Sequence, residues 1–350
     1  MVTALRYAGS LPNDSDLTEL DQLKRRSFIT LLGGLAAWPL AASAQKPERM
    51  RRVAVLMGLA ESDPEGQKRI KGLRSRLNEL GWTENRNLRL DCRWVAGDVA
   101  RTRALATELV HSVPEVIVVN TPPGLAALRE ATSTIPIVFA QVTDVAESGI
   151  STPAHPQANV TGFAHFYTYD VTGKWLSLLR EIAPDVAQVG LMQNPGHPSW
   201  IGYVAAMEAT ASAVGLGVYR TPVNEPAEID RALDGIAEKR NAGLIVLPNT
   251  FTAVHRHRIV QLANKHGIPA VYPTSFFATA GGLMSYGSDV ADLVRSTGTY
   301  VDRILRGASP GELPVQTSTK YELLINLNTA KALGITVPPT LLARADEVIE

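Results

Sequence analysis

Glu115-Val116-Ile117-Val118-Val119-Asn120-Thr121-Pro122-Pro123 is the stretch whose reading decides the fold. A short β-branched run gives a strand over Glu115 to Asn120, and proline at the head of the next run opens a helix over Pro122 to Ala131. The same unit extends outward on both sides. Before it, Arg52 to Met57 reads as a strand, Pro64 to Leu80 as a helix closed by Gly81, Leu88 to Trp94 as a strand and Val99 to His111 as a helix. After it comes the strand Ile135 to Val142. Alternating strands and helices imply a parallel sheet with helices on both faces.

Between Thr143 and Tyr169 the pattern stumbles on Gly149, Pro153, Pro156 and Gly162. It then restarts with helix Val171 to Ile182, strand Gln188 to Gln193, helix Ser199 to Val214 and strand Gly217 to Val223. Helix Ala227 to Lys239, strand Gly243 to Leu247, helix Ala253 to His266 and strand Pro269 to Tyr272 follow. The second half thus repeats the plan of the first without a residue-level duplication. Beyond Gly281-Gly282 lie strand Leu283 to Tyr286, helix Asp289 to Leu305 capped by Gly307, the segment Leu313 to Gln316, and a last strand and helix between Tyr321 and Leu333. The fold class is α/β, with two Rossmann-like lobes of parallel sheet. Several chain crossings between them form a hinge, because a few connecting residues can absorb a rotation.

The N-terminus supplies an address. Lys24-Arg25-Arg26-Ser27-Phe28-Ile29-Thr30 precedes an apolar run from Leu31 to Ala42 and the exit Ala42-Ser43-Ala44-Gln45. Arg25 and Arg26 ahead of such a run give the layout of a twin-arginine-type signal peptide over residues 24–44, cleaved after Ala44. The apolar run is too short to span a bilayer, which takes about 20 apolar residues. Residues 1–23 carry no fold signal and are expected to be a disordered leader. Removing both leaves about 300 residues, more than one core usually serves. Lys plus Arg and Asp plus Glu number 34 each, so net charge is zero and nucleic acid is disfavoured as a partner. The single cysteine, Cys92, cannot form an internal disulfide and reads as a strand residue.

Catalytic equipment is missing from the expected places. Met57-Gly58-Leu59-Ala60 offers one glycine where a dinucleotide fingerprint needs three. Gly173-Lys174-Trp175 lacks the hydroxyl of a phosphate loop, and Gly282 stands one residue too far from Ser285 for a nucleophile elbow. His255 and His257 point to different faces of a helix, so no metal site follows from them. Arg69, Lys71, Arg74 and Arg76 read as a solvated helical face, and Trp82, Trp94 and Trp175 as core. No catalytic residue, cofactor or metal is therefore expected.

Polar residues just past the strand C-termini remain, where open parallel sheets bind ligands. They are Ser62, Thr121, Gln141, Thr143 and Asp144 in the first half. In the second half they are Asn194, Asn249, Tyr272, Thr274, Ser285 and Tyr286. Amides, hydroxyls, aromatic rings and one carboxylate suit a small polar ligand with an apolar portion. Single members of such a set also serve as turns and helix caps.

The signal, Val53 to Met57, Gly72 to Trp82, Ile135 to Asp144, Asn159-Val160-Thr161-Gly162-Phe163, Gly282 to Gly287 and Leu324 to Gly334 together resemble a known family. It is the periplasmic substrate-binding proteins of ABC transporters, in the branch that includes tryptophan/tyrosine-type binding proteins. The likeness covers nearly all of Arg51 to Glu350, and Val145 stands where relatives commonly carry proline. It implies a type I periplasmic binding protein fold. One lobe would comprise residues 51–165 plus 287–312 and the other 166–286 plus 313–345, with a ligand cleft between them that closes on binding. It also implies a periplasmic, non-membrane-spanning mature protein that is not an enzyme, whose partners are a small-molecule ligand, an ABC permease with its ATPase, and the export machinery. Asp144 would pair with a ligand amino group. Thr121 and Thr143 would hold polar atoms from one side, Asn194, Asn249 and Ser285 from the other, and Tyr272 or Tyr286 would cover an apolar part. An exported enzyme or a ligand-sensing protein on the same scaffold are the alternatives.

Overall fold

The computed structural model describes residues 49–142, 159–165, 171–195, 200–318 and 320–350. The leader and signal, with Arg25 and Arg26, lie outside the described residues, as do Thr143 and Asp144.

Strands β1 (Arg51–Met57), β2 (Leu88–Trp94), β3 (Val116–Val119), β4 (Ile137–Val142) and β5 (Val160–Ala164) are joined at one edge by β11 (Gln316–Thr317). They form a six-stranded sheet of order β11-β5-β4-β3-β1-β2, parallel throughout. Every residue of β3 is buried, as a strand covered on both faces requires. The crossovers are α1 (Pro64–Glu79), α2 (Val99–His111) and α3 (Pro122–Ala131). Asp63, Asp98 and Thr121 cap them, each side chain accepting a backbone N–H of the first turn.

The second sheet holds β6 (Gln188–Gln193), β7 (Gly217–Pro222), β8 (Ala242–Val246), β9 (Ala270–Tyr272), β10 (Met284–Ser288), β12 (Tyr321–Asn326) and β13 (Glu347–Ile349). Its order is β13-β12-β10-β9-β8-β6-β7, and only the β10–β12 pair is antiparallel. Its helices are α4 (Val171–Ile182), α5 (Trp200–Ala213), α6 (Pro226–Ala237), α7 (Thr250–Val254), α8 (Arg256–Lys265) and α9 (Ser275–Thr279). Helix α10 (Val290–Leu305) returns to pack on α1 and on β3, β4 and β5. Trp82 Nε1 donates to Asp302 Oδ1 across that contact at 2.8 Å. Helices α11 (Leu327–Ala332) and α12 (Pro339–Leu342) lie between β12 and β13 in the chain. No described helix is long and apolar enough to cross a membrane.

Elements α9, α12 and β13 are not expected from the sequence, and three further features differ from its reading. The helix expected over Ala253 to His266 is two helices, because the backbone at His255 leaves helical geometry and α7 starts early, capped by the Asn249 side chain. Strand β5 lies in the segment where the pattern stumbled. Glycine in mid-strand weakens the signal, yet here it is obligatory, since a Cβ on Gly162 would stand 2.1 Å from the Phe139 carbonyl oxygen. The tail from Leu313, expected in the second lobe, first gives Gln316 and Thr317 to the first sheet. The Thr161 hydroxyl fixes it there by donating to the Leu313 carbonyl at 2.6 Å.

The overlap at Gly162 is with backbone and cannot be relieved by a rotamer change. Gly162→Ala is expected to destabilise by more than about 4 kcal/mol, seen as loss of soluble yield or of a cooperative thermal melt. A variant melting within a few degrees of wild type would contradict the β4–β5 register.

Candidate functional site

Each sheet has one place where its strand order reverses: between β1 and β3 in the first, between β6 and β8 in the second. The crossovers there leave to opposite faces, so a crevice stays open at the C-terminal strand ends. In the first sheet Gly58 follows β1 and Asn120 follows β3, and the Gly58 N–H donates to Asn120 Oδ1 at 2.8 Å, fully buried. A Cβ on Gly58 would come within 2.3 Å of Thr121 Cγ2. Thr121 in turn accepts from Gly124 N–H at 3.2 Å to start α3. In the second sheet Asn194 follows β6, and Asn249, just past β8, accepts from Phe251 N–H at 2.6 Å.

These ends enclose a cavity of about 380 Å³, within the range of small-molecule sites. Gly58, Arg69, Asn120, Thr121, Gln141 and His165 line it from the first sheet. Asn194, Asn224, Asn249, Thr250 and Phe251 line it from the second. Gln141 is placed by an irregularity in β4, where the register shifts between Ala140 and Val142 and Gln141 takes a φ of 60°. Such bulges re-aim a side chain at the end of a strand.

Arg69 is not the solvated residue that its charged neighbours suggested. It shares the buried stripe of α1 with Gly66, Ile70, Leu73 and Leu77 and is only 2% exposed. Its Nε donates to Glu65 Oε1 at 2.8 Å and its Nη1 to Gln141 Oε1 at 3.1 Å. The guanidinium lies 5.4 Å from the centre of the Phe276 ring. Nearby, Arg256 at the start of α8 makes two hydrogen bonds of 2.7 and 2.8 Å to the carboxylate of Asp63, the cap of α1. Burial alone would raise the Asp63 pKa, but the Arg256 hydrogen bonds and charge outweigh it and hold the carboxyl below its usual value.

His165 ends β5 at the cavity wall, and its carbonyl accepts from the Ser288 hydroxyl at 2.7 Å, tying the two sheets at a chain crossing. Complete burial, helped by the charge of Arg69, pushes its pKa down to about 3. The imidazole is therefore neutral at physiological pH.

Of the residues expected at the site, Thr121, Gln141, Asn194 and Asn249 stand together in the cavity wall. Ser62 is exposed beside the helix cap Asp63. Tyr272 is fully buried and stacks on Phe277 with ring centres 5.0 Å apart. Thr274 and Ser285 are buried away from the wall. Tyr286 is half-buried, stacks on Tyr321 at 5.8 Å, and accepts the Trp175 indole N–H on its carbonyl at 2.8 Å. Thr143 and Asp144 are outside the described residues. The sequence reading missed Arg69, His165 and Phe251. For Arg69 the signal was present, as a cation inside the apolar stripe of a helix; for the other two the local sequence holds none. Among the described residues no group of three or more His, Cys, Asp or Glu side chains could hold a metal ion. Burial raises the Cys92 thiol to about 11, which leaves it unreactive.

Residues 52–349 match the family described as ABC transporter substrate binding protein. The chain belongs to that family. A tyrosine-binding protein of Clostridioides difficile strain R20291 is 26% identical over 274 residues, 78% of each chain. The crystal structure of a conserved domain protein from Vibrio cholerae O1 biovar El Tor strain N16961 is 29% identical, with a TM-score of 0.79 over 86% of this chain and all of that one. An ABC domain from Streptococcus pneumonia in complex with L-Trp has the same TM-score and coverage at 24% identity. The resemblance to ABC substrate-binding proteins of the tryptophan/tyrosine-type branch therefore holds, and the two parallel-dominated sheets are those of a type I periplasmic binding protein fold.

The depressed pKa of His165 in this substrate-binding protein has a defined sign. As pH falls below the ordinary value of 6.5 the unfolded chain takes up the proton and the folded chain does not. Stability is complete above about pH 6.5 and is lost progressively toward the folded value of about 3. Thermal melts should show His165→Asn losing less Tm than wild type between about pH 7 and pH 4.5; equal slopes would place the acid sensitivity elsewhere.

Proposed function

We propose that this protein is the exported solute-binding component of an ABC uptake transporter and captures a small polar or amino-acid-like ligand between its two sheets. The observation that carries the reading is the meeting of both strand-order reversals on one cavity lined by Thr121, Gln141, Asn194 and Asn249. Each sheet alone offers only half a site, so a ligand held by both is enclosed when they come together. Enclosure removes water, and each buried hydrogen bond then becomes costly to leave unmade. The relatives described as tyrosine-binding and as complexed with L-Trp support an aromatic amino acid as the first candidate.

Within this reading Asp144 pairs with the ligand ammonium, and Thr121 and Thr143 act beside it, on the strength of the sequence. Asn194 and Asn249 supply amides from the opposite side. The half-buried Phe251, its ring 4.5 Å from that of His255, presents the apolar surface for the non-polar part of the ligand. Among its described residues the wall presents amides, hydroxyls, a guanidinium and a neutral histidine, groups that can hold a polar ligand. The lobe containing β1 to β5 and α10 and the lobe containing β6 to β9 would move about the crossings near His165, Ser288 and Ser318. The twin-arginine signal sends the protein to the periplasm, where it would deliver its ligand to a permease driven by a separate ATPase.

A thermal-shift screen of amino acids, nucleosides and small carboxylates tests the function. Ligand at one hundred times its Kd should stabilise the protein by about 2.7 kcal/mol, and L-tyrosine or L-tryptophan is expected among the stabilisers. Calorimetry with the best stabiliser should show Phe251→Ala weakening binding about tenfold. A screen with no stabiliser would remove the support for a small metabolite as the cargo.

Localisation is tested separately. Residues 1–45 fused to a reporter should direct it to the periplasm, and changing Arg25 and Arg26 to lysine should hold it in the cytoplasm. Export unaffected by that change would point to a route that does not read the arginine pair.

A further inference from the structure

We infer that the cavity selects its ligand by a carboxylate, which accepts hydrogen bonds from Nη2 of Arg69 and Nδ2 of Asn120. This rests on the solute-binding reading and names the chemistry by which it discriminates.

The donors of Arg69 can be followed one by one. Nε is engaged by Glu65 and Nη1 by Gln141, while Nη2 has no partner among the described residues. Asn120 is likewise 2% exposed. Its Oδ1 accepts from the Gly58 N–H, which fixes the amide orientation and leaves Nδ2 as a donor without a partner among the described residues. Two buried donor groups in one cavity wall are thus unmet, although buried donors are normally satisfied.

Three side-chain acceptors of the same wall are already engaged. Gln141 Oε1 takes Arg69, Thr121 Oγ1 takes the Gly124 N–H, and Asn249 Oδ1 takes the Phe251 N–H. The two unmet buried donors therefore call for a ligand group that offers acceptors. A carboxylate brings two oxygens with about four lone-pair sites and no N–H of its own. A primary amide offers one acceptor oxygen and places an NH2 donor where the carboxylate has its second oxygen.

The buried ion pair with Glu65 balances the charge of Arg69, so the open donor, more than net charge, favours an anion here. Arg69 is the one charged side chain among the described residues of the wall, and His165 beside it is neutral. Glu65 engages the guanidinium at Nε, so its carboxylate is bonded to a different nitrogen from the one left open. The fork is held in advance by Glu65, Gln141 and the Phe276 ring, so little freedom is lost when an anion docks.

The test uses the intact mature protein and matched probes that differ only at the acid: L-tyrosine against L-tyrosinamide and L-tryptophan against L-tryptophanamide, with uncharged nucleosides alongside. At about pH 6, below the α-amino pKa of about 7.7 of the amides, both members of a pair keep the ammonium group, so the comparison isolates the carboxylate. At least one acid is expected to bind about a hundredfold more tightly than its amide by calorimetry. Arg69→Gln and Asn120→Asp, each verified as folded by circular dichroism, are expected to abolish that preference. The comparison on the unaltered chain stands even if either variant fails to fold. Acid and amide binding within about threefold of each other, or a preference surviving in folded Arg69→Gln, would overturn the inference. A nucleoside as the sole stabiliser would overturn it too while leaving the binding-protein function intact. If no probe binds, both fall.

Discussion

A parallel sheet must be covered on both faces, and its C-terminal edge stays open only where the order of strands reverses. That constraint governs this molecule twice. Between β1 and β3 the open edge is bridged by the Gly58 N–H and the Asn120 side chain, and between β6 and β8 it is flanked by Asn194 and Asn249. Gly58 is required there for space, since a side chain would overlap Thr121. Asn120, Thr121 and Asn249 of the cavity are therefore also residues that start the next helix or stitch neighbouring strand ends. Capping and lining are the same job, seen from two sides.

The two halves meet through charges that burial makes decisive. Asp63 caps α1 and takes both hydrogen bonds from Arg256 of α8, with the two side chains 12% and 7% exposed. Breaking such a pair by removing one partner leaves a buried charge, which typically destabilises by about 3–5 kcal/mol. Arg69 and Arg256 both pack their guanidinium groups over the Phe276 ring, at 5.4 and 5.6 Å. One aromatic ring thus buttresses the arginine that lines the cavity and the arginine that joins the sheets.

Two of the segments that carry the family resemblance turn out to be architectural. In Asn159-Val160-Thr161-Gly162, the asparagine donates to the Ile135 carbonyl at 3.1 Å, the threonine anchors Leu313, and the glycine makes room for the Phe139 backbone. In the segment from Asn326 to Gly334, Asn326 caps α11 by accepting from Thr329 N–H at 3.0 Å and donates to the Ala278 carbonyl at 3.2 Å. Thr329 donates to Gly281 at 2.8 Å, and Gly334 takes the positive φ that ends the helix. These motifs identify the scaffold because backbone geometry leaves few residues that can replace them. They say little about the ligand.

The sequence by itself determined the alternation of strands and helices, the doubling of the plan and the caps, because periodicity, proline starts and glycine stops act over a few residues. It also placed Thr121, Gln141, Asn194 and Asn249 at strand ends, since local pattern marks where a strand stops. Which strand ends face one another was decided only by tertiary structure. Tyr272, Thr274, Ser285 and Tyr286 carry the same local signal, yet β9 and β10 lie beyond the reversal in the second sheet, where side chains enter the core or stack on neighbours. Arg69 and His165 entered the wall for the opposite reason. Their burial comes from residues far away in the chain, Gln141 and Phe276 for one and Ser288 for the other, and no local pattern records a partner that distant.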